Sequence, residues 1–132
     1  MDGYGHRTDP FSGEGSFHKG VDITAPTGTT VRNTDDGVVV QAEMVSGGYG
    51  RLVIIDHGGG FQTYYAHLSK IVVHAGQELH QGEVLGLVGT SGRTTAPHLH
   101  YEVHAGGVPV NPYKYLANSP VFRQTPKDLP FQ

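Results

Sequence analysis

The residues of this chain best suited to chemistry are two histidines in the segment Pro97–Val103. Hydrophobic and polar residues alternate along this segment, which is the pattern of a β-strand with one buried face. On the polar face, His98 and His100 stand about 6.6 Å apart, at a rise of about 3.3 Å per residue. Two imidazoles at this spacing can serve one small site, as a metal ligand and a catalytic neighbour. The residues predicted to face the core are Leu99, Tyr101 and Val103.

A second pair of candidate ligands is His18 and Asp22. On a helix they would share one face, but Gly20 and the β-branched residues that run into Pro26 argue against a helix. In a straight strand the two residues would stand about 13 Å apart, too far to bind one ion. The chain must therefore bend at Gly20, a residue type that permits such a bend, if both are to contact the same atom.

A hydrolytic zinc site needs three protein ligands and an open position for water. Since the chain has no cysteine, such a site must use histidine and carboxylate. His18, Asp22 and one histidine of the 98/100 pair form a set of this kind. The other histidine of that pair, together with His67, could act on a water molecule or on a developing oxyanion. The helical His-Glu-x-x-His motif and its glutamate base are absent, and histidine suits proton transfer near neutral pH.

Three segments, in this order and spacing, resemble the lysostaphin-like M23 metallopeptidases, also called LytM-type endopeptidases. The segments are His18–Asp22, Tyr65–Leu68 and Pro97–Glu102, and the resemblance spans about residues 5–116. One departure is Ala96, where the family pattern would have glycine; it alters loop flexibility and removes no chemical group.

The resemblance implies both a ligand set and an activity. It assigns the ligands of one Zn²⁺ per chain to His18, Asp22 and His100, and the catalytic roles to His67 and His98. It implies a zinc-dependent endopeptidase that hydrolyses peptide bonds in the stems or cross-bridges of bacterial peptidoglycan. Such an enzyme acts outside the cytoplasm, in the periplasm, in the cell envelope or after secretion.

Two other functions compete with this hypothesis. Some relatives have lost ligands and serve as non-catalytic wall-binding modules or activators of other hydrolases, but this chain retains all five positions. Phosphocarrier domains of sugar transport share a glycine-rich β architecture and paired histidines. The His18–Asp22 motif has no role in a phosphocarrier, which makes that function the weaker alternative.

Several polar residues near these motifs are predicted to be structural. Thr63, Tyr65 and His67 should share one face of a strand, with Tyr65 packed in the protein rather than donating to substrate. His57 should serve a turn beside three glycines. His104 lies outside the motif and is expected to be solvated.

The elements that position these residues are predicted to be strands. The 132 residues suit one domain, and 20 glycines, 8 prolines and no long amphipathic helix predict an all-β fold. We expect a mostly antiparallel sheet or sandwich core with glycine-rich turns, and a groove lined by loops 1–17, 43–50 and 90–97. The predicted organisation is an N-terminal loop region (1–17), a catalytic domain (18–116) and a C-terminal tail (117–132). The predicted strands are 30–32, 37–42, 52–57, 61–68, 71–73, 84–88 and 98–103.

The net charge and hydropathy of the chain limit the classes of partner that it is expected to bind. The formal charge of −3 gives no bulk attraction for nucleic acid. No apolar run approaches the roughly 20 residues of a membrane span, and no signal peptide opens the chain. Because the implied function lies outside the cytoplasm, an export signal and other domains are expected in a longer natural protein.

Overall fold

The computed structural model describes residues 20–92 and 96–112, which form strands and no helix. The strands are β1 (Val21–Thr24), β2 (Thr30–Arg32), β3 (Gly37–Val45), β4 (Gly50–Gly58), β5 (Phe61–Ile71), β6 (Glu78–Leu79), β7 (Val84–Val88), β8 (His98–Ala105) and β9 (Val108–Val110). Every strand pair in this part of the chain is antiparallel, which confirms the predicted all-β class. These residues include no helix that is long and apolar enough to cross a membrane. The predicted N-terminal loop region, the C-terminal tail and His18 lie outside the described residues.

The long strand β5 connects the two parts of the sheet. The main strand order is β1-β8-β5-β4-β3-β6. The first half of β5 pairs with β8, and its second half pairs with β7, which in turn pairs with β2. Strand β8 pairs with β1 near its start and with β9 near its end. The predicted histidine strand therefore lies between β5 and β1, where both neighbours can add side chains to its polar face.

One face of β8 packs into the main hydrophobic core, as its alternating pattern predicts. Leu99 and Tyr101 are fully buried, and Val103 is 1% exposed. Tyr101 packs edge-on against Tyr65, its Cα partner on β5, with ring centroids 5.4 Å apart. The Tyr65 hydroxyl lies 2.8 Å from the Thr63 hydroxyl within this core. Tyr65 is therefore a packed residue, as predicted.

The alternation of β5 breaks at His67. Between Tyr65 and Leu68 the strand takes three steps while β4 takes two, which is a β-bulge. His67 has a φ of 64°, in the left-handed region that side chains other than glycine seldom adopt. The bulge sends the His67 ring away from the core that holds Tyr65 and places it 4.8 Å from the His98 ring. The prediction that Thr63, Tyr65 and His67 share a face is therefore wrong at His67.

His57 links two parts of the fold. Its Nδ1 lies 2.8 Å from the carbonyl oxygen of Asp36, in the turn before β3, and its Nε2 lies 2.7 Å from the Thr63 hydroxyl. This arrangement agrees with the predicted structural role in a turn.

Candidate metal centre

Strand register brings Asp22 and His100 together. In the β1–β8 pair Asp22 is the Cα partner of His100, and Thr24 is the partner of His98. Directly opposed residues of an antiparallel pair project from the same face of the sheet. The Asp22 Oδ1 atom is 2.6 Å from His100 Nδ1 and 3.5 Å from His98 Nε2. One carboxylate oxygen thus lies against both predicted histidines of β8.

The Asp22–His100 contact holds a proton that a metal ion could replace. Burial raises the pKa of Asp22, but hydrogen bonds from His100 and His98 outweigh it and hold this pKa well below its usual range. Burial lowers the pKa of His100, and hydrogen bonds to Asp22 and Glu102 then raise it to about 9. An ionised carboxylate and an imidazole nitrogen are donors that zinc prefers, and metal binding releases protons from such ligands. The two residues therefore fit a zinc site.

The third predicted ligand, His18, lies outside the described residues. Within 20–92 and 96–112, no group of three His, Cys, Asp or Glu residues could hold a metal ion. The backbone at Gly20 has a φ of 152°, and a Cβ there would lie 2.3 Å from the carbonyl oxygen of Tyr101. Gly20 thus has a backbone conformation and a packing that only glycine tolerates, at the predicted bend. A zinc site with three protein ligands would therefore need one from outside this part of the chain.

His67 is held through Nδ1. This nitrogen lies 2.7 Å from the carbonyl oxygen of Ser91 and donates to it, so the lone pair of the neutral ring is on Nε2. Burial lowers the pKa of His67, and the hydrogen bond to Ser91 offsets only part of that effect. His67 is therefore an imidazole that stays neutral near pH 7 and can accept a proton.

The loop that carries Ser91 packs tightly against the start of β4. The Ser91 hydroxyl accepts a hydrogen bond from the Arg51 amide at 3.0 Å and donates to the Leu68 carbonyl. A Cβ on Gly92 would lie 2.5 Å from the amide nitrogen of Gly50. These contacts place the carbonyl group that holds His67. The sequence predicted only a groove-lining loop here and missed the role of Ser91, because carbonyl hydrogen bonds carry no side-chain signature.

His98 is also held through Nδ1, which donates to the carbonyl oxygen of Ala96 at 2.8 Å. Because this acceptor is a backbone carbonyl group, it is present whether position 96 carries alanine, as here, or the glycine of the family pattern. His98 lies beside His67 and Asp22, and the structure therefore brings together four of the five predicted site residues.

Glu102 is a buried member of the site that the sequence did not single out. It is 1% exposed, and its two oxygens lie 2.7 Å from His100 Nε2 and His104 Nε2. His104 is only 14% exposed and stacks on Tyr64 with ring centroids 4.1 Å apart, so the prediction that it is solvated is wrong. The Tyr49 hydroxyl donates to the same carboxylate. The spacing could have indicated Glu102, since it follows His100 by two residues on one strand face.

The fold and the site define a class of protein: an antiparallel β domain that gathers one carboxylate and three imidazoles on one sheet face, the types of side chain that zinc hydrolases use. The chain belongs to peptidase family M23, whose model it matches over residues 16–112.

Three comparisons illustrate the relationship. The chain is 43% identical over 123 residues to the peptidoglycan DD-endopeptidase ShyA of Vibrio cholerae, covering 92% of this chain and 27% of ShyA. The catalytic domain of the antimicrobial peptidase lysostaphin from Staphylococcus simulans superposes with a TM-score of 0.73 at 30% identity, covering 87% of this chain and 90% of that domain. A zinc-containing peptidase from Vibrio cholerae has a TM-score of 0.67 at 37% identity, covering 80% of this chain and 32% of the peptidase.

The comparisons confirm the predicted family, its lysostaphin-like fold and its zinc-metallopeptidase class. The chain spans less than a third of the length of the first curated relatives that it matches.

Proposed function

We propose that residues 18–116 form the catalytic domain of a zinc endopeptidase that hydrolyses peptide bonds in the stems or cross-bridges of bacterial peptidoglycan. The observation that carries the proposal is the convergence of Asp22, His67, His98 and His100 on one face of the sheet. Peptidoglycan as the substrate is supported by the name of the relative ShyA, a peptidoglycan DD-endopeptidase. Because the substrate lies outside the cytoplasm, we place the activity in the periplasm, in the cell envelope or outside the cell.

The proposed ligands of one Zn²⁺ are Asp22, His100 and, from outside the described residues, His18. Asp22 supplies an ionised oxygen, and His100 supplies the nitrogen that lies beside it. When bound, zinc supplies Lewis-acid chemistry, which polarises a carbonyl oxygen and lowers the pKa of a water to about 7.

His67 and His98 are the proposed proton-handling residues. Hydrolysis breaks the C–N bond of the peptide, adds the oxygen of water to the carbonyl carbon and delivers a proton to the leaving amine. Both rings are anchored at Nδ1 on backbone carbonyls, so in their neutral forms both carry the lone pair on Nε2. Two imidazoles 4.8 Å apart can therefore accept the water proton, return it to the amine and donate to the developing oxyanion.

The test is digestion of purified peptidoglycan. The chain is loaded with zinc and incubated with sacculi from two bacteria that differ in their cross-bridges, and released fragments are identified by mass spectrometry. We expect peptide fragments with new termini at one kind of bond, and no release by the metal-free chain or by His98→Ala. The identity of the fragments also defines the bond that is cleaved.

The competing function is a module that binds the wall without cutting it. Co-sedimentation with sacculi, but no fragment release from either wall by the zinc-loaded chain, would support that module and contradict the endopeptidase.

A further inference from the structure

The carboxylate of Glu102 contacts two histidines, the proposed metal ligand His100 and its strand neighbour His104. Its Oε2 lies 2.7 Å from Nε2 of His100, and its Oε1 lies 2.7 Å from Nε2 of His104. We propose that Glu102 is the positioning residue that selects the metal-binding nitrogen of His100. This inference rests on the proposed function, because it concerns the same zinc site.

The chemistry of a carboxylate determines which partner donates in the hydrogen bond between Glu102 and His100. An ionised carboxylate can only accept hydrogen bonds, so each group against it must donate. Glu102 therefore requires a proton on Nε2 of His100 and on Nε2 of His104, and it receives a third donor from the Tyr49 hydroxyl. With three donors, this 1% exposed side chain has partners on both oxygens.

The tautomer of His100 follows from this bond. A neutral imidazole has one protonated nitrogen and one lone pair, so a ring that donates from Nε2 has its lone pair on Nδ1. Nδ1 is the nitrogen that lies 2.6 Å from Asp22 Oδ1, the other proposed ligand atom. Once the proton between His100 and Asp22 has been released, Glu102 thus leaves the lone pair of His100 on Nδ1, beside the Asp22 carboxylate. Carboxylates commonly orient metal-binding histidines in this way.

The surroundings of Glu102 hold it in place. His104 stacks on Tyr64, and Tyr49 reaches the carboxylate from the segment before β4. Behind the side chain, a Cβ on Gly20 would lie 2.6 Å from Glu102 Cγ, so the backbone there leaves no room for the chain to shift. The position of the carboxylate, and with it the ring of His100, is therefore set before any metal arrives.

The test is Glu102→Gln in the full chain, with zinc affinity measured by competition against a chromogenic chelator. The amide has nearly the same shape, but only its oxygen accepts, so it cannot take a ring N–H hydrogen bond from both His100 and His104. We expect zinc to bind about 10–100-fold more weakly, the usual cost of losing such a partner. The visible spectrum of the Co²⁺-substituted chain should change as well, because the ligand ring is no longer held.

Tyr65→Phe is the matched control. It removes a buried hydroxyl from the core on the other side of the sheet, so it should lower the Tm and leave zinc affinity within about twofold of the unaltered chain. If Glu102→Gln likewise lowers only the Tm and keeps the zinc affinity, Glu102 is merely structural and the proposal is overturned.

A measurement on the unaltered chain covers the case in which Glu102→Gln does not fold. Long-range ¹H–¹⁵N NMR of the zinc-loaded chain should show His100 protonated at Nε2 and metal-shifted at Nδ1, and the reverse pattern would overturn the proposal. The outcomes distinguish failure of the proposed function from failure of the positioning role of Glu102. A chain that binds no zinc contradicts the proposed function and this inference together, whereas a zinc-dependent chain with unchanged affinity in Glu102→Gln contradicts only this inference.

Discussion

At the scale of single residues, the three imidazoles of the site differ in the nitrogen by which they are anchored. His67 and His98 donate from Nδ1 to backbone carbonyls, whereas His100 contacts Glu102 through Nε2. The ring nitrogen opposite the anchored one is therefore Nε2 in the first two and Nδ1 in the third, and in His98 and His100 it faces Asp22. This difference distinguishes the proposed proton-transfer residues His67 and His98 from the proposed ligand His100, independently of the sequence motif.

Replacing His100 should abolish zinc binding. His100→Ala removes the nitrogen beside Asp22, so we expect the zinc content to fall from near one per chain to near zero, as measured by metal analysis after dialysis. His74→Ala, at an exposed position, is the control and should retain zinc. Full zinc content and activity in His100→Ala would show that the ligand assignment is wrong.

Replacing His67 should separate catalysis from metal binding. His67→Ala removes a neutral, buried imidazole, so we expect kcat to fall about 10²–10⁴-fold while zinc content stays near one per chain. His98→Ala should behave in the same way. Fragment release from sacculi gives the rate, and metal analysis of the same sample gives the occupancy. Loss of zinc from either variant would make that histidine a ligand instead.

At the scale of elements, the position of His67 depends on the β5 bulge and on the loop that contains Ser91. The bulge sends the ring to the site face, and the Ser91 carbonyl then fixes its tautomer. That carbonyl is held in turn by the close approach of Gly92 to Gly50. A change in the loop should therefore affect catalysis without touching a metal ligand.

Gly92→Ala should destabilise the fold more than Gly76→Ala. Both glycines have positive φ, 85° and 92°, so both substitutions incur a conformational cost of about 1–2 kcal/mol. A Cβ at position 92 would also lie 2.5 Å from the amide nitrogen of Gly50, whereas a Cβ at position 76 meets nothing within 4 Å. We expect about 1–3 kcal/mol of further destabilisation at position 92, measured by urea denaturation.

The kcat values of the two glycine variants should differ in the same direction as their stabilities. Gly92→Ala should lower kcat while zinc affinity is retained, and Gly76→Ala should leave both unchanged. Equal stability and equal kcat in the two variants would show that the contact between the loops does not support His67.

At the scale of the whole molecule, the site exists only in the folded chain. Asp22, His67 and His100 come from β1, β5 and β8, so their distances depend on strand pairing across most of the sequence. A metal ion that binds Asp22 and His100 together stabilises the folded form over the unfolded form. Zinc binding and folding stability should therefore be linked.

The metal-free chain should lose stability as the pH rises from 6.5 to 9. The pKa of His100 is raised from 6.5 to about 9 because its hydrogen bonds to Asp22 and Glu102 outweigh the effect of burial. The folded form thus holds a proton that the unfolded chain releases at lower pH. This contribution, at most about 3 kcal/mol, is fully present below pH 6.5 and lost as the pH rises through 9.

Thermal melts in the presence and absence of a chelator provide the measurement. In the zinc-loaded chain the metal replaces the proton, so the same loss of Tm should be absent between pH 6.5 and 9. A Tm of the metal-free chain that stays constant or rises across this range would contradict the raised pKa of His100.

Much of the fold was predictable because it depends on local patterns. The alternation in β8 predicted its buried residues, and the predicted strand 84–88 matches β7 (Val84–Val88). Strands β3, β4 and β5 were predicted too short, because their ends are extended by pairing with neighbouring strands rather than by their own residues. The His67 bulge was missed because it arises from the mismatch in length between β4 and β5.

The sequence by itself determined the chemical inventory: which side chains can bind zinc or transfer protons, their motif spacing, the family and the all-β class. Residue types and periodicity are local properties, and they can be taken directly from the order of the chain. Only the tertiary structure decided that Asp22 lies opposite His100, that His67 leaves the face of Tyr65, and that the buried Glu102 contacts His104. Strand register and burial are relations between distant segments, so no single segment encodes them.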